Sequence, residues 1–169
     1  MMQKLAVGEF SWVEGLVLQD LLQWDAEGEY GFFAEVDAYI PPDLHDYFSD
    51  LPPMPDHIII TNDMLSPASR ELKTKLYGPK HKLNARRLAP NLFRKEKYKL
   101  HVKTLQLYVK LGVKITAIHK VVKFRQSDWL SRYIGENTRR RQLATTDFGK
   151  NFWKLANNAF FGKTCEVIM

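Results

Sequence analysis

The side chains in this 169-residue sequence that most invite a chemical reading are Lys150, Lys154 and Asn158. If the segment from Lys150 to Gly162 is helical, they fall at i, i+4 and i+8, and two ammonium groups and an amide share one face. Cations at that spacing suit a triphosphate, whose oxygens take charge-assisted hydrogen bonds. Trp153, Leu155, Ala156, Ala159 and Phe160 fill other positions and predict an apolar side to bury. Gly162 is expected to end the helix as a left-handed cap, and Asp147 to cap its start.

The run Lys154-Leu-Ala-Asn-Asn158-Ala-Phe-Phe161-Gly162 resembles motif B of family B DNA polymerases, Lys-x-x-x-Asn-Ser-x-Tyr-Gly. Ala159 replaces the usual Ser and Phe161 the usual Tyr, with the spacing kept. The resemblance implies that Lys154 meets the phosphates of an incoming dNTP and that Lys150 is a second cation for them. Asn158, Phe161 and Gly162 would support the nascent base pair. Upstream, Leu88-Ala-Pro-Asn-Leu92, Lys97-Tyr98, Gln126-Ser127, Trp129-Leu130, Tyr133-Ile134 and Asn137-Thr138 are similar to the run preceding motif B in protein-primed polymerases of Maverick/Polinton transposons, organellar linear plasmids and viruses. Gly31 to Asp37 and Pro42 to Asp46 resemble the segment after motif A, so the likeness extends over nearly the whole chain. It implies an α+β fold, a partial polymerase palm with an insertion region and a helical-hairpin fingers segment. It implies DNA template-primer and dNTP as partners, with a terminal priming protein as a further partner of the insertion. Arg139, Arg140 and Arg141 then have two readings, a triphosphate contact through one of them or a charged surface.

Two further motifs of that family, an Asp-bearing motif A and a Tyr-x-Asp-Thr-Asp motif C, belong before Met2 and after Met169. Their carboxylates would hold the paired Mg2+ ions of phosphoryl transfer. The residues present are therefore expected to be a polymerase fragment, catalytically incompetent alone, with the Mg2+ ligands outside this chain.

Composition agrees with a globular chain: 45% of residues are hydrophobic and 26% charged. The single Cys165 makes no internal disulfide, which favours a reducing, intracellular setting, whether nuclear, viral or organellar. No run of eighteen apolar residues and no leader is found, so neither a membrane span nor a secretion signal is expected. The net charge of +6 hides a division. Residues 1–63 hold one basic residue against thirteen acidic, a net of −12, whereas residues 64–169 hold twenty-four against six, a net of +18. The two parts should attract each other. An excess of cations on about a hundred residues is also the footprint of a protein that meets a phosphate backbone.

Three segments follow from this reading: an acidic palm-side segment, 1–63, a basic insertion and palm segment, 64–126, and the fingers helices, 127–169. Within the first, Leu18, Leu21, Leu22 and Trp24 predict a short helix, and residues 32–40 alternate as a strand until Pro41-Pro42 stops it. Glu35 and Asp37 lie on its polar face, where ordinary exposed carboxylates are favoured over a metal pair. Pro52-Pro53-Met-Pro55 reads as a stiff linker, and Ile58-Ile59-Ile60 as a buried strand. Ser66-Pro67 opens a turn or helix whose core side is Leu72, Leu76 and Tyr77, and Gly78-Pro79 ends it before a basic stretch, Lys80 to Arg87. That stretch reads either as a flexible loop or as a direct DNA contact. Val102, Leu105, Tyr108 and Val109 predict a helix closed by Gly112, and Val113 to Phe124 a strand pair. His101 and His119 read as structural. Ser127 is expected to cap a helix whose inward side is Trp129, Leu130, Tyr133 and Ile134, with Gly135 weakening its middle. Two readings from other classes compete with the polymerase: a non-enzymatic, basic nucleic-acid-binding module, and an interaction protein left from a mobile element.

Overall fold

The computed structural model describes residues 2–81, 83, 85–164 and 166. The fold is α+β. Its centre is a four-stranded antiparallel sheet in the order β1-β6-β2-β5, made of Leu5–Val13, Lys114–Ser127, Tyr30–Tyr39 and Lys95–His101. Two of these strands come from the acidic part and two from the basic part, and each strand of one part lies beside a strand of the other. Helices α1, Leu18–Gln23, and α3, Val102–Lys110, cover one face.

The alternation of β2 explains why the sheet is covered on that side. Phe32, Ala34, Val36 and Ala38 are buried with Leu100 of β5 and Val121 of β6, under Leu21 of α1 and Leu105 of α3. Of these, each Phe, Val or Leu side chain removed from water contributes roughly 1.5–3 kcal/mol. Trp24 closes the end of this core edge-on to Phe32, with ring centroids 4.6 Å apart, and donates its Nε1–H to the carbonyl of Tyr30. Gln106 of α3 donates to the carbonyls of Leu21 and Trp24, satisfying two of the acceptors that the short α1 leaves open. His101 caps α3, its Nδ1 accepting the N–H of Lys103 at 3.1 Å. Gly112, at φ 97°, turns the chain from α3 into β6 in the left-handed region that glycine adopts without strain.

Between β2 and β5 the chain leaves the sheet. After a 3-10 turn at Pro42–Leu44, Phe48 and Met54 return to the core, so the proline-rich linker is anchored through its own methionine. A two-stranded antiparallel ribbon follows, β3, Asp56–Ile59, with β4, Arg86–Ala89, and between them α2, Pro67–Tyr77. Ser66 caps α2 by accepting the N–H of Ser69, as Ser66-Pro67 predicts.

Several expectations are corrected. Of the strand expected to be buried, Ile59 is exposed and Ile58 and Ile60 are only half-buried, and Leu72, Leu76 and Tyr77 are exposed on α2. Arg86 and Arg87 belong to β4 and not to a loop, while Lys82 lies outside the described residues. Val113 to Phe124 form no strand pair; residues 114–124 belong to one 14-residue strand, because no turn residue interrupts Lys114 to Ser127. Ser127 ends that strand instead of capping a helix; α4 begins at Ser131, with the Asp128 carbonyl accepting the N–H of Ser131. Cys165 also lies outside the described residues. Among the described residues no helix is long and apolar enough to cross a membrane.

Candidate nucleotide-binding site

Helices α4, Ser131–Leu143, and α5, Asp147–Thr164, form an antiparallel hairpin. Gly135 does not break α4. The hairpin is held by three seams along its length. Phe160 meets Trp129 and Tyr133, at 5.6 and 6.0 Å between ring centroids. Buried Asn137 donates to the side-chain oxygen of Asn157 at 2.9 Å. Near the turn, the Arg140 guanidinium stands 4.9 Å from the centroid of Trp153. Thr146 caps α5, its hydroxyl accepting the N–H of Gly149, and Asp147, expected as the cap, lies instead in the first turn, where its charge favours the helix dipole.

These contacts fix the orientation of α5. Gly149, Trp153, Ala156, Asn157 and Phe160 are partly buried, the spacing of one helical face. Lys150, Lys154, Asn158 and Phe161 are all exposed and fall together on a different face, turned from α4. Among the described residues neither Lys150 nor Lys154 is ion-paired with a carboxylate, so both ammonium groups face solvent without an internal counterion. The expected apolar side is only partly right. Trp153, Ala156 and Phe160 pack on α4, whereas Leu155 and Ala159 are exposed and, with Phe148 and Phe152, make a third stripe. Gly162 does not end the helix, which runs on to Thr164.

The arginines divide. Arg139 makes a two-pronged contact with Glu136, 2.9 Å on each side, and Arg140 donates to the same carboxylate at 2.6 Å. These bonds, Arg139 first and then Arg140, pull the Glu136 carboxyl from its ordinary value of 4.5 to about 2. The same partnership raises the Arg139 pKa. Arg140 is the one of the three seen against a side chain of α5. Arg141 is exposed and has no carboxylate partner among the described residues. The lysine stripe of α5 thus stands apart from two arginines that are already neutralised, a division set by Glu136 at i−3 and i−4, which the sequence contained but the reading passed over.

The open face of the sheet holds the other groups named from sequence. Glu35 lies 3.7 Å from Lys99, and Asp37 accepts from the Lys97 N–H and pairs with His119, both at 2.8 Å. The Lys97 N–H, followed by His119, lowers the Asp37 pKa. His101 is pushed down mainly by burial, which suits a neutral ring acting as acceptor. Among the described residues no three His, Cys, Asp or Glu side chains gather as a metal-binding group. The alternation of residues 32–40 already set Phe33 on this face, but sequence reasoning missed Phe10 and Trp12, whose i, i+2 spacing was the available signal. Comparison of the chain with protein-family models, with curated proteins and with solved structures gave no match.

Proposed function

We propose that α4 and α5 are the fingers hairpin of a protein-primed family B DNA polymerase and that α5 receives the incoming dNTP on its lysine face, beside a partial palm built from the central sheet. The observation that carries this reading is the exposure of Lys150, Lys154, Asn158 and Phe161 on a single face of α5 that α4 leaves free, in the register of motif B. Two unneutralised ammonium groups one turn apart attract the β- and γ-phosphates, and they offset the charge that grows on a departing pyrophosphate. Asn158 and Phe161 lie one and two turns further along and bound the base-pair side. Phe161 supplies a ring without a hydroxyl; sugar discrimination that depends on ring bulk is retained.

The proposal assigns these residues nucleotide binding and positioning, not bond making, because the carboxylates assigned to magnesium belong to motifs outside them. Template-primer DNA is the second proposed partner, attracted by the basic residues 64–169, and the exposed ribbon and α2 are the region left for a priming protein. In an intact polymerase carrying this sequence, Lys154→Ala is expected to raise the nucleotide KM by roughly tenfold or more, the loss of one charge-assisted contact, with far less effect on DNA affinity. Equal loss of both would sink the assignment, and salt-dependent DNA binding with no triphosphate effect would favour a non-enzymatic nucleic-acid module.

A further inference from the structure

We propose that the uncovered face of the central sheet is a base-stacking site for single-stranded nucleic acid, with Trp12 as its platform. The register of the strands arranges this face in rows. One row places Trp12, Val122, Phe33 and His101 side by side across all four strands. The row to one side carries Phe10 and Phe124 with Gly31, and Phe124 lies under Phe10, Phe33 and His101, with centroids 4.8–6.0 Å away. A Cβ on Gly31 would meet the Phe124 ring at 2.7 Å, so glycine is what lets that ring lie down and floor the face. The row to the other side is Lys120, Glu35 and Lys99.

A planar π surface beside a row that ends in a lysine on either side, Lys120 and Lys99, fits the chemistry of a nucleotide. Trp12 is 71% exposed and Phe33 43%, and with Val122 they line a groove of about 370 Å³ that Lys99 and Lys120 flank. Rows two residues apart along a strand are separated by about 6.6 Å, a span that a base and its phosphate bridge. The charges also select an anion. Glu35 is matched by Lys99, and the Asp37 carboxylate is held by the Lys97 N–H and the His119 ring, whereas Lys120 has no carboxylate partner among the described residues and stands 5.8 Å from the Trp12 ring. Stacked bases with a flanking backbone cation are recognised whatever their sequence, since every base has a π face. A duplex buries those faces, so the site takes an unpaired strand.

The inference does not rest on the triphosphate reading of α5, and its test separates the two. Binding of the whole chain to a labelled oligothymidylate, to an abasic strand of equal length and charge, and to a duplex is measured by fluorescence anisotropy. The expected result is preference for the base-bearing strand over the abasic one by roughly tenfold. Trp12→Ala removes that preference, while Trp12→Phe, which keeps a ring, and Leu155→Ala, an exposed site on another element, retain it. The exposure of Trp12 makes these variants mild for folding. Equal affinity for the abasic strand, preference for the duplex, or an unchanged Trp12→Ala variant overturns the proposal. So does sedimentation showing that this face is covered by a second copy of the chain.

Discussion

At the scale of the residue, Lys95 shows how far a side chain's role depends on what the fold places around it. Its side chain is 1% exposed, yet it sits within a run of charged residues, Arg94-Lys95-Glu96-Lys97. The alternation of β5 turns it inward, where Asp56 stands 3.2 Å away and Asn91 accepts a second bond. Burial lowers its pKa and Asp56 opposes that shift. The pair joins β3 of the ribbon to β5 of the sheet. Removing only the anion leaves a buried ammonium unpaired, so Asp56→Ala should destabilise by on the order of 3 kcal/mol, whereas Lys95→Met, which leaves an Asp56 that water can still reach, should cost far less. Urea unfolding of the two variants checks this; equal losses would mean that the ion pair is not what matters. No sequence rule reaches such a pair, because its partners are 39 residues apart. By contrast, the roles of Lys150, Lys154 and Asn158 as one exposed face were legible, since i, i+4 spacing is a local property.

At the scale of the element, the helices and strands with clean periodicity were legible: β2 by alternation, α3 by its apolar spacing and Gly112, and α2 by Ser66-Pro67. The errors fall where a local signal competes with tertiary contacts. Ser127 looks like a cap but is claimed by the long strand β6, which continues because β1 and β2 pair with it on both sides. Gly162 looks like a stop but stays helical, as glycine in a helix is costly without being forbidden. The apolar residues of α2 were assigned to a core, but Leu72, Leu76 and Tyr77 are exposed. The α4–α5 hairpin carries its own electrostatic brace at Glu136, and this makes a prediction about acid. A carboxyl whose folded pKa is about 2 against an ordinary 4.5 binds fewer protons folded than unfolded between those values. The contribution of this brace is therefore fully present above 4.5 and is lost as pH falls through about 2. A pH titration of hairpin stability by circular dichroism should show this decline, and Glu136→Gln should remove that component; an unchanged profile in the variant would contradict the brace.

At the scale of the whole molecule, the opposed charges of the two parts are realised as contacts between them. Lys95–Asp56, Lys99–Glu35, Lys103–Glu27, His119–Asp37 and the pairs of Arg125 with Glu9 and Glu29 all join residues 1–63 to residues 64–169. This division was visible in composition alone, and strand interleaving is what brings the two signs together. Most of these pairs are exposed, each worth about 0–1 kcal/mol, so raising salt to about 1 M should lower stability by roughly 1–2 kcal/mol in all. Thermal unfolding at low and high salt tests this, and a rise in stability with salt would mean that repulsion among the cations outweighs the cross-part attraction. The cations left over, above all those of α5, are the basis of the central claim. The most direct test is a titration of the isotope-labelled chain with deoxythymidine triphosphate, followed by NMR. Amide shifts at Lys150, Lys154, Asn158 and Phe161 are expected, with the Kd weakened roughly tenfold or more in Lys154→Ala and unchanged in Leu155→Ala, whose side chain lies on another face. Shifts confined to other elements, or equal affinity in the Lys154→Ala chain, would contradict the account.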